Sequence, residues 1–195
     1  MNRRELFTSF ASKREPRAPV MAFNKADLFT NASVVTHEGK KVKFYEDLCK
    51  GKQVFVNTMY SRCVGGCPIV TSNLVRAYKA LKGRMGKDLF MVSISIKPEE
   101  DTPASLKDYA EMHRALLPGW TFVTGDQYDI DTIRYRMFTW EHIKFDLDLD
   151  LHTSMLRILN DNTNAWVMID PHVSTYTVLE HVRMVDSPRS YEQQV

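Results

Sequence analysis

The chain has 195 residues, with 26 basic and 24 acidic side chains and a formal net charge of +2. That near balance excludes recognition of nucleic acid or of an anionic membrane face by bulk charge, so a partner has to be met by a local site. Three cysteines are too few for a disulfide-stapled scaffold, and a chain of this size buries about 70% of its unfolded surface without one; the thiols are therefore chemical or incidental rather than architectural.

Along the chain, "MNRRELFTSFASKREPRAPV" pairs Arg3 with Arg4 ahead of Leu6 and Phe7, in the manner of a twin-arginine export signal. Lys13, Arg14 and Glu15 interrupt it before an apolar run of about 7 to 15 residues can form. Residues 1–22 are therefore expected to be a flexible polar arm, and no stretch is apolar enough to span a bilayer. "ASVVTHEGKKVKFYEDL" carries two β-prone runs around Glu38 and Gly39, a hairpin signal, followed by turn residues at Lys50, Gly51 and Lys52. "KQVFVNTMY" is apolar and β-branched at strand length, as expected of a strand buried on both faces. From Pro68, the residues Ile69, Leu74, Ala77, Tyr78 and Leu81 follow a helical period, with Pro68 at the first helical position and Gly83 or Gly86 as the stop.

"DLFMVSISI" predicts a second buried strand, "TPASLKDYAEMHRALL" a helix capped by Thr102 with Pro103 at its start, and "GWTFVTG" a third strand. "DQYDIDTIRYRMF" predicts another helix, "SMLRILNDNTNAWVMIDP" a hairpin turning at Asn160, Asp161 and Asn162, and Ser174 caps a last helix to about Asp186. Alternation of strand and helix implies a parallel core sheet with helices on both faces. The order of elements matches a thioredoxin-like α/β fold with an added N-terminal β-hairpin and a β-hairpin insertion before the C-terminal helix.

The stretch "CVGGCP", residues 63–68, falls where the first buried strand passes into the first long helix. Backbone N–H groups converge at such a junction and the helix dipole is positive there, so a thiolate is favoured. Cys67 is expected at the cap, Cys63 in the loop above it, and Gly65 and Gly66 to supply the left-handed or tight backbone that brings the sulfurs together. The pair can form a disulfide or chelate a soft metal. Three intervening residues leave a metal more room than two, and no second pair exists to complete a four-thiolate zinc or iron–sulfur site, so copper fits this spacing best. Two small apolar side chains packed at a helix start are the bland alternative.

"MYSRCVGGCP" together with "MVSISIKPEEDTPASLKDYAEMH" resembles the Sco/SenC family of copper-binding, thioredoxin-fold proteins. The likeness rests on Tyr60 and Ser61 before Cys63 and Cys67, on Ser93 or Ser95 leading to Pro98, Asp101, Thr102 and Pro103, and on Leu106 and Tyr109 in the next helix. It implies residues 23–187 as the Sco domain, 188–195 as a polar tail, and a third ligand at His152 in "FDLDLDLHTSMLRIL". It further implies a copper ion, Cu(I) or Cu(II), held by Cys63, Cys67 and His152 for a copper-accepting protein such as cytochrome c oxidase. The alternative is a thiol–disulfide oxidoreductase in which a more exposed Cys63 attacks a disulfide-bearing partner and Cys67 resolves. This chain has Val64 and Leu151 where the family often has proline and aspartate. Asp146, Asp148, Asp150 and His152 alternate with leucines, so in an extended backbone they share a face and Asp150 could orient the imidazole.

The other histidines, His37, His113, His142, His172 and His181, are expected to be solvated, and Cys49 to be a partly buried structural thiol. Neither nucleic acid nor a membrane span is called for. Relatives of the resemblance work outside the cytoplasm, often tethered, whereas this sequence taken by itself points to a cytoplasmic protein.

Overall fold

The computed structural model describes residues 21–22, 25–138 and 155–186. In chain order these form β1 (Met21–Ala22), α1 (Lys25–Leu28), β2 (Ser33–Thr36), β3 (Lys41–Lys43), a π-helical turn (Phe44–Cys49), β4 (Gln53–Met59) and α2 (Gly66–Ala80). There follow β5 (Leu89–Ser95), α3 (Pro103–Met112), β6 (Trp120–Gly125), α4 (Gln127–Phe138), β7 (Leu156–Asn160), β8 (Ala165–Ile169) and α5 (Thr175–Asp186). The strands make one sheet of eight in the order β1-β8-β7-β4-β5-β6-β2-β3.

The apolar runs of β4, β5 and β6 pair in parallel, with Val56 opposite Val92 and Val92 opposite Thr121. On the other side of β4 the hairpin β7–β8 runs antiparallel, setting Phe55 against Ile158. The units β4-α2-β5 and β7-β8-α5 thus share the centre of the sheet, the thioredoxin-like arrangement. The N-terminal hairpin turns at Gly39, where φ is +80° and a side chain would be disfavoured, and docks antiparallel on β6 with Val35 opposite Thr124. β1 pairs with β8, so Met21 and Ala22 belong to the sheet rather than to the arm expected over 1–22. Its pairing satisfies backbone groups that an edge strand leaves open. The remainder of the arm lies outside the described residues.

Period-two alternation separates two cores. Phe55 and Met59 of β4 look toward α2, α3 and α5, where Leu74, Leu106, Tyr109 and Val182 meet them. Val54 and Val56 look toward Leu28, Phe44, Cys49, Ile130 and Ile133 on the opposite side. Burying each such side chain stabilises the fold by about 1.5–3 kcal/mol. The helices on both faces were legible in the sequence; the π-helical turn was not.

Two boundaries differ from expectation. α2 begins at Gly66 with Gly65 as its cap, so Cys67 and Pro68 sit inside the first turn. α3 stops at Met112 instead of continuing through Leu117. Arg114 takes φ +56° and Ala115 donates back to Ala110 O, which turns the chain toward β6 and buries Ala115. Finally, β7 carries an arginine in an otherwise apolar environment: Arg157 is 2% exposed, its guanidinium lies 4.0 Å from the Trp166 ring centroid, and Nε and Nη1 have no hydrogen-bond partner. Burial lowers its pKa to about 9.

Candidate metal and redox site

β4 delivers the thiol loop. Ile96 N donates to Met59 O at 2.9 Å, which keeps β5 beside β4 to the last residue, and the chain then leaves the sheet at Tyr60. Cys63 N donates to Tyr60 O at 3.3 Å, closing a turn that places Cys63 two residues ahead of the Gly65 cap. Neither Gly65 nor Gly66 takes a positive φ, so of the left-handed or tight backbone anticipated for them the left-handed form is not used. A Cβ at Gly65 would stand 4.0 Å from Cys63 Sγ, an ordinary contact.

A buried carboxylate holds this loop. Asp101, 2% exposed, accepts from Ser61 N at 3.2 Å, from Ser61 Oγ at 2.5 Å and from Ser95 Oγ at 2.6 Å. The next two residues start α3: Thr102 Oγ1 accepts from Ser105 N at 3.1 Å, and Pro103 occupies the first turn, where its missing N–H costs nothing. One tripeptide therefore tethers the loop two residues before Cys63 and caps the neighbouring helix. Beneath it, Ser93 Oγ donates to Asn57 Oδ1 at 2.8 Å and accepts from Trp120 Nε1 at 2.9 Å, while Thr71 and Tyr109 share a hydroxyl contact of 2.8 Å. The floor of the site is thus polar but hydrogen-bonded, as buried polar groups must be.

Cys63 and Cys67 are free thiols, 7% and 8% exposed. The expectation of a more exposed Cys63 is not met in side-chain exposure; what separates the two is how deeply each sulfur is buried and which hydrogen bonds it receives. Burial pushes the Cys63 thiol up, but the backbone N–H of Cys67, the Cys67 thiol, the backbone N–H of Gly65 and the Tyr60 hydroxyl outweigh it, and its pKa is lowered. Cys67 is pushed up to about 12 by burial and by its bond to the Cys63 thiol. The site therefore favours one thiolate that is hydrogen-bonded by its neighbour's thiol. Around the pair, Val64 is fully exposed and Ile69 56% exposed, so the rim is apolar. Lys97 Nζ lies 4.8 Å from the Tyr60 ring centroid.

The structure brings together two of the anticipated ligands, Cys63 and Cys67. His152, Asp150, Asp146, Asp148 and His142 lie outside the described residues. Among the described residues no group of three or more His, Cys, Asp or Glu is placed to hold a metal ion. Two histidines expected to be solvated are buried. His37, at 9% exposure, accepts from Phe122 N through Nδ1, and burial lowers its pKa; His181, at 1%, shares a 2.7 Å contact between Nδ1 and Thr177 O. The edge of β6 and the packed face of α5 enclose these rings, which a linear pattern does not reveal. Cys49 is fully buried rather than partly so. The anchoring role of Asp101 was also missed; its signal was a carboxylate six residues past Ser95, a hydroxyl within an apolar strand.

A family model described as SCO1/SenC matches residues 24–186. The chain belongs to the SCO1/SenC family. The SCO1 protein homolog of Bacillus subtilis (strain 168) is 28% identical over 102 residues, covering 52% of this chain and 51% of that one. This family member spans about half the length of the curated relatives it matches. Among solved structures, Arabidopsis thaliana ScoI with copper bound superposes with a TM-score of 0.65 at 20% identity, over 84% of this chain and 99% of that one. BsSco, a cytochrome c oxidase assembly protein of the Sco family with a disulfide switch, gives 0.64 at 22% identity, over 88% and 95%. Likenesses at this identity establish the thioredoxin-like fold. No helix among the described residues is long and apolar enough to cross a membrane.

Proposed function

We propose that this SCO1/SenC protein is a copper carrier in which Cys63 and Cys67 bind the ion as thiolates, His152 supplies the third donor and Asp150 orients the imidazole. The cargo is Cu(I) or Cu(II), delivered to a cuproenzyme such as cytochrome c oxidase. The observation that carries this reading is the adjacency of two free thiols where the chain passes from β4 into α2, one of them favoured as the anion by surrounding donors. Soft thiolates suit copper, and two thiolates leave room for one further ligand. Relatives with copper bound share the fold. Loading displaces the remaining thiol proton, so uptake is weaker at low pH.

Anaerobic copper titration of the reduced full chain tests the proposal. One ion per chain is expected, with Cys63→Ser and Cys67→Ser each abolishing tight binding. His152→Ala should retain Cu(I) but lose the sulfur-to-Cu(II) charge-transfer band, and Asp150→Ala should weaken Cu(II) binding about tenfold. Failure of the reduced chain to take up copper would refute the assignment.

The unequal thiols favour a second reading, reduction of a partner's disulfide. The Cys63 thiolate attacks one sulfur of that disulfide, and the other sulfur leaves as a thiolate and takes a proton. Cys67, on losing its proton, then attacks Cys63 Sγ, which closes the Cys63–Cys67 disulfide and releases the partner's second thiol; two electrons pass to the partner. A chain that binds no copper yet reduces a partner disulfide stoichiometrically would establish this reading over the first.

A further inference from the structure

The carboxyl ends of β4 and β5 set a lysine against the tyrosine that opens the thiol loop. Met59 pairs with Ser95 and Ile96 N donates to Met59 O at 2.9 Å, so Tyr60 and Lys97 leave the sheet side by side. Both are fixed at the backbone. Tyr60 O accepts from Cys63 N, and the next residue, Ser61, is tied to Asp101. Lys97 N donates to Ser95 Oγ at 3.1 Å, and Lys97 O accepts from Asp101 N at 2.9 Å. The Lys97 ammonium lies over the Tyr60 ring, while Glu100 Oε1 stands 3.6 Å from it, beyond hydrogen-bond length. The Tyr60 ring packs against the core and its hydroxyl donates to Cys63 Sγ. At the opposite end of the same two strands Lys52 lies over Phe90 at an equal 4.8 Å. That ring carries no hydroxyl, so the Lys52 contact is packing, whereas the Lys97 contact leads through a hydroxyl to a reacting sulfur.

We propose that Tyr60 is a catalytic donor to the thiol pair and Lys97 its positioning residue: the ammonium polarises the phenol, and the phenol O–H stabilises Cys63 Sγ in the reduced pair. A cation on the face of the ring draws on its electron density and makes the O–H a stronger donor. A bond from that O–H to an anionic sulfur is charge-assisted, and most of its strength disappears when the sulfur becomes half of a neutral disulfide. The donor therefore favours the dithiol over the Cys63–Cys67 disulfide. The inference rests on the reading of Cys63 and Cys67 as a redox pair. Its consequence for the copper reading is that both sulfurs stay reduced, and open to the ion, under more oxidising conditions.

The test equilibrates the copper-free full chain at pH 8 with reduced and oxidised glutathione and counts the Cys63–Cys67 disulfide by mass after alkylation. Closing the pair forms one S–S bond and breaks that of glutathione disulfide, which takes up the two electrons and the thiol protons as two molecules of glutathione. Tyr60→Phe, which keeps the ring and its contact with Lys97, should shift the equilibrium about tenfold toward the disulfide, about 30 mV for this two-electron couple. Lys97→Met should shift it about threefold in the same direction, Lys97→Arg should restore the parent value, and Lys52→Met should not move it. In the Tyr60→Phe background Lys97→Met should add nothing, because the hydroxyl through which it acts is gone. A Tyr60→Phe equilibrium within about twofold of the parent's overturns the inference, and an undiminished Lys97→Met effect in that background overturns the part assigned to Lys97. A parent chain that forms no Cys63–Cys67 disulfide at any glutathione ratio overturns the redox reading and the inference together, which keeps the two failures distinct.

Discussion

Cys49 and Cys63 lie on opposite faces of one sheet, and both are buried, at 0% and 7% exposure. Cys49 ends the π-helical turn among Phe44, Val54 and Ile130, and burial above all, with the Asp161 charge adding to it and Lys52 opposing it, pushes its thiol far above the ordinary range. Cys63 is held lower by four donor groups that the loop and the first turn of α2 direct at its sulfur. Burial by itself therefore does not decide whether a thiol in this protein is reactive; the supply of N–H and O–H donors that can outweigh it also does. The same contrast extends to the surroundings, since the thiol-site face satisfies the buried carboxylate Asp101 with three hydrogen bonds, whereas the opposite face leaves Arg157 without a partner for Nε and Nη1.

The contrast is sharpest in reactivity. Native protein treated with iodoacetamide at pH 8 should be alkylated at Cys63 at least about 100-fold faster than at Cys49, after allowance for the lower nucleophilicity of a more acidic thiol. Mass-mapped rates within tenfold of each other would erase the distinction. Next in size is the tether: Asp101→Ala strands two donors of Ser61 and one of Ser95, at a cost of about 3 kcal/mol measured by urea unfolding, and should also slow Cys63 alkylation. A loss of stability without any change at Cys63 would make Asp101 part of the core alone.

The pH dependence is smaller. The pKa of Cys49 is raised in the fold, so its stabilising contribution is complete below the unfolded value of about 8.5 and declines above it, by about 1.4 kcal/mol per pH unit. Cys67, raised to about 12, acts in the same direction up to that pH, and Cys63, lowered, in the opposite one, its contribution being lost as pH falls. Unfolding free energies of Cys49→Ala between pH 8.5 and 10.5 should fall less steeply than those of the parent chain; equal slopes would contradict the burial argument. The smallest effect is expected at Arg157. Arg157→Met removes an unpaired buried charge while keeping apolar volume, and should leave stability unchanged or raise it by up to about 1 kcal/mol. A loss beyond 2 kcal/mol on the order expected for a broken buried pair would show that the guanidinium is compensated in solution.

Much of the scaffold could be read without coordinates, because the relevant signals are local. The apolar runs of β4 and β5, the Thr102–Pro103 start of α3 and the Ser174 cap of α5 each act within a few residues of themselves. The junction that holds Cys63 and Cys67 was legible for the same reason. The misreadings share a different cause. Whether His37 and His181 are solvated depends on β6 and on the packing of α5, and the stop of α3 at Met112 depends on where β6 must begin. None of these is encoded within a window of sequence around the residue concerned.

The sequence by itself determined the strand–helix alternation, the place of the two thiols between β4 and α2, and the motif that leads to Asp101, since periodicity and capping are short-range properties of the chain. Only the tertiary structure decided which cysteine has donors and which does not, that Asp101 reaches back 40 residues to Ser61, and that the Lys97 ammonium lies over the ring of Tyr60. The reason is physical: a pKa or a hydrogen bond depends on distances between groups remote in sequence, and those distances exist only once the sheet has ordered its strands.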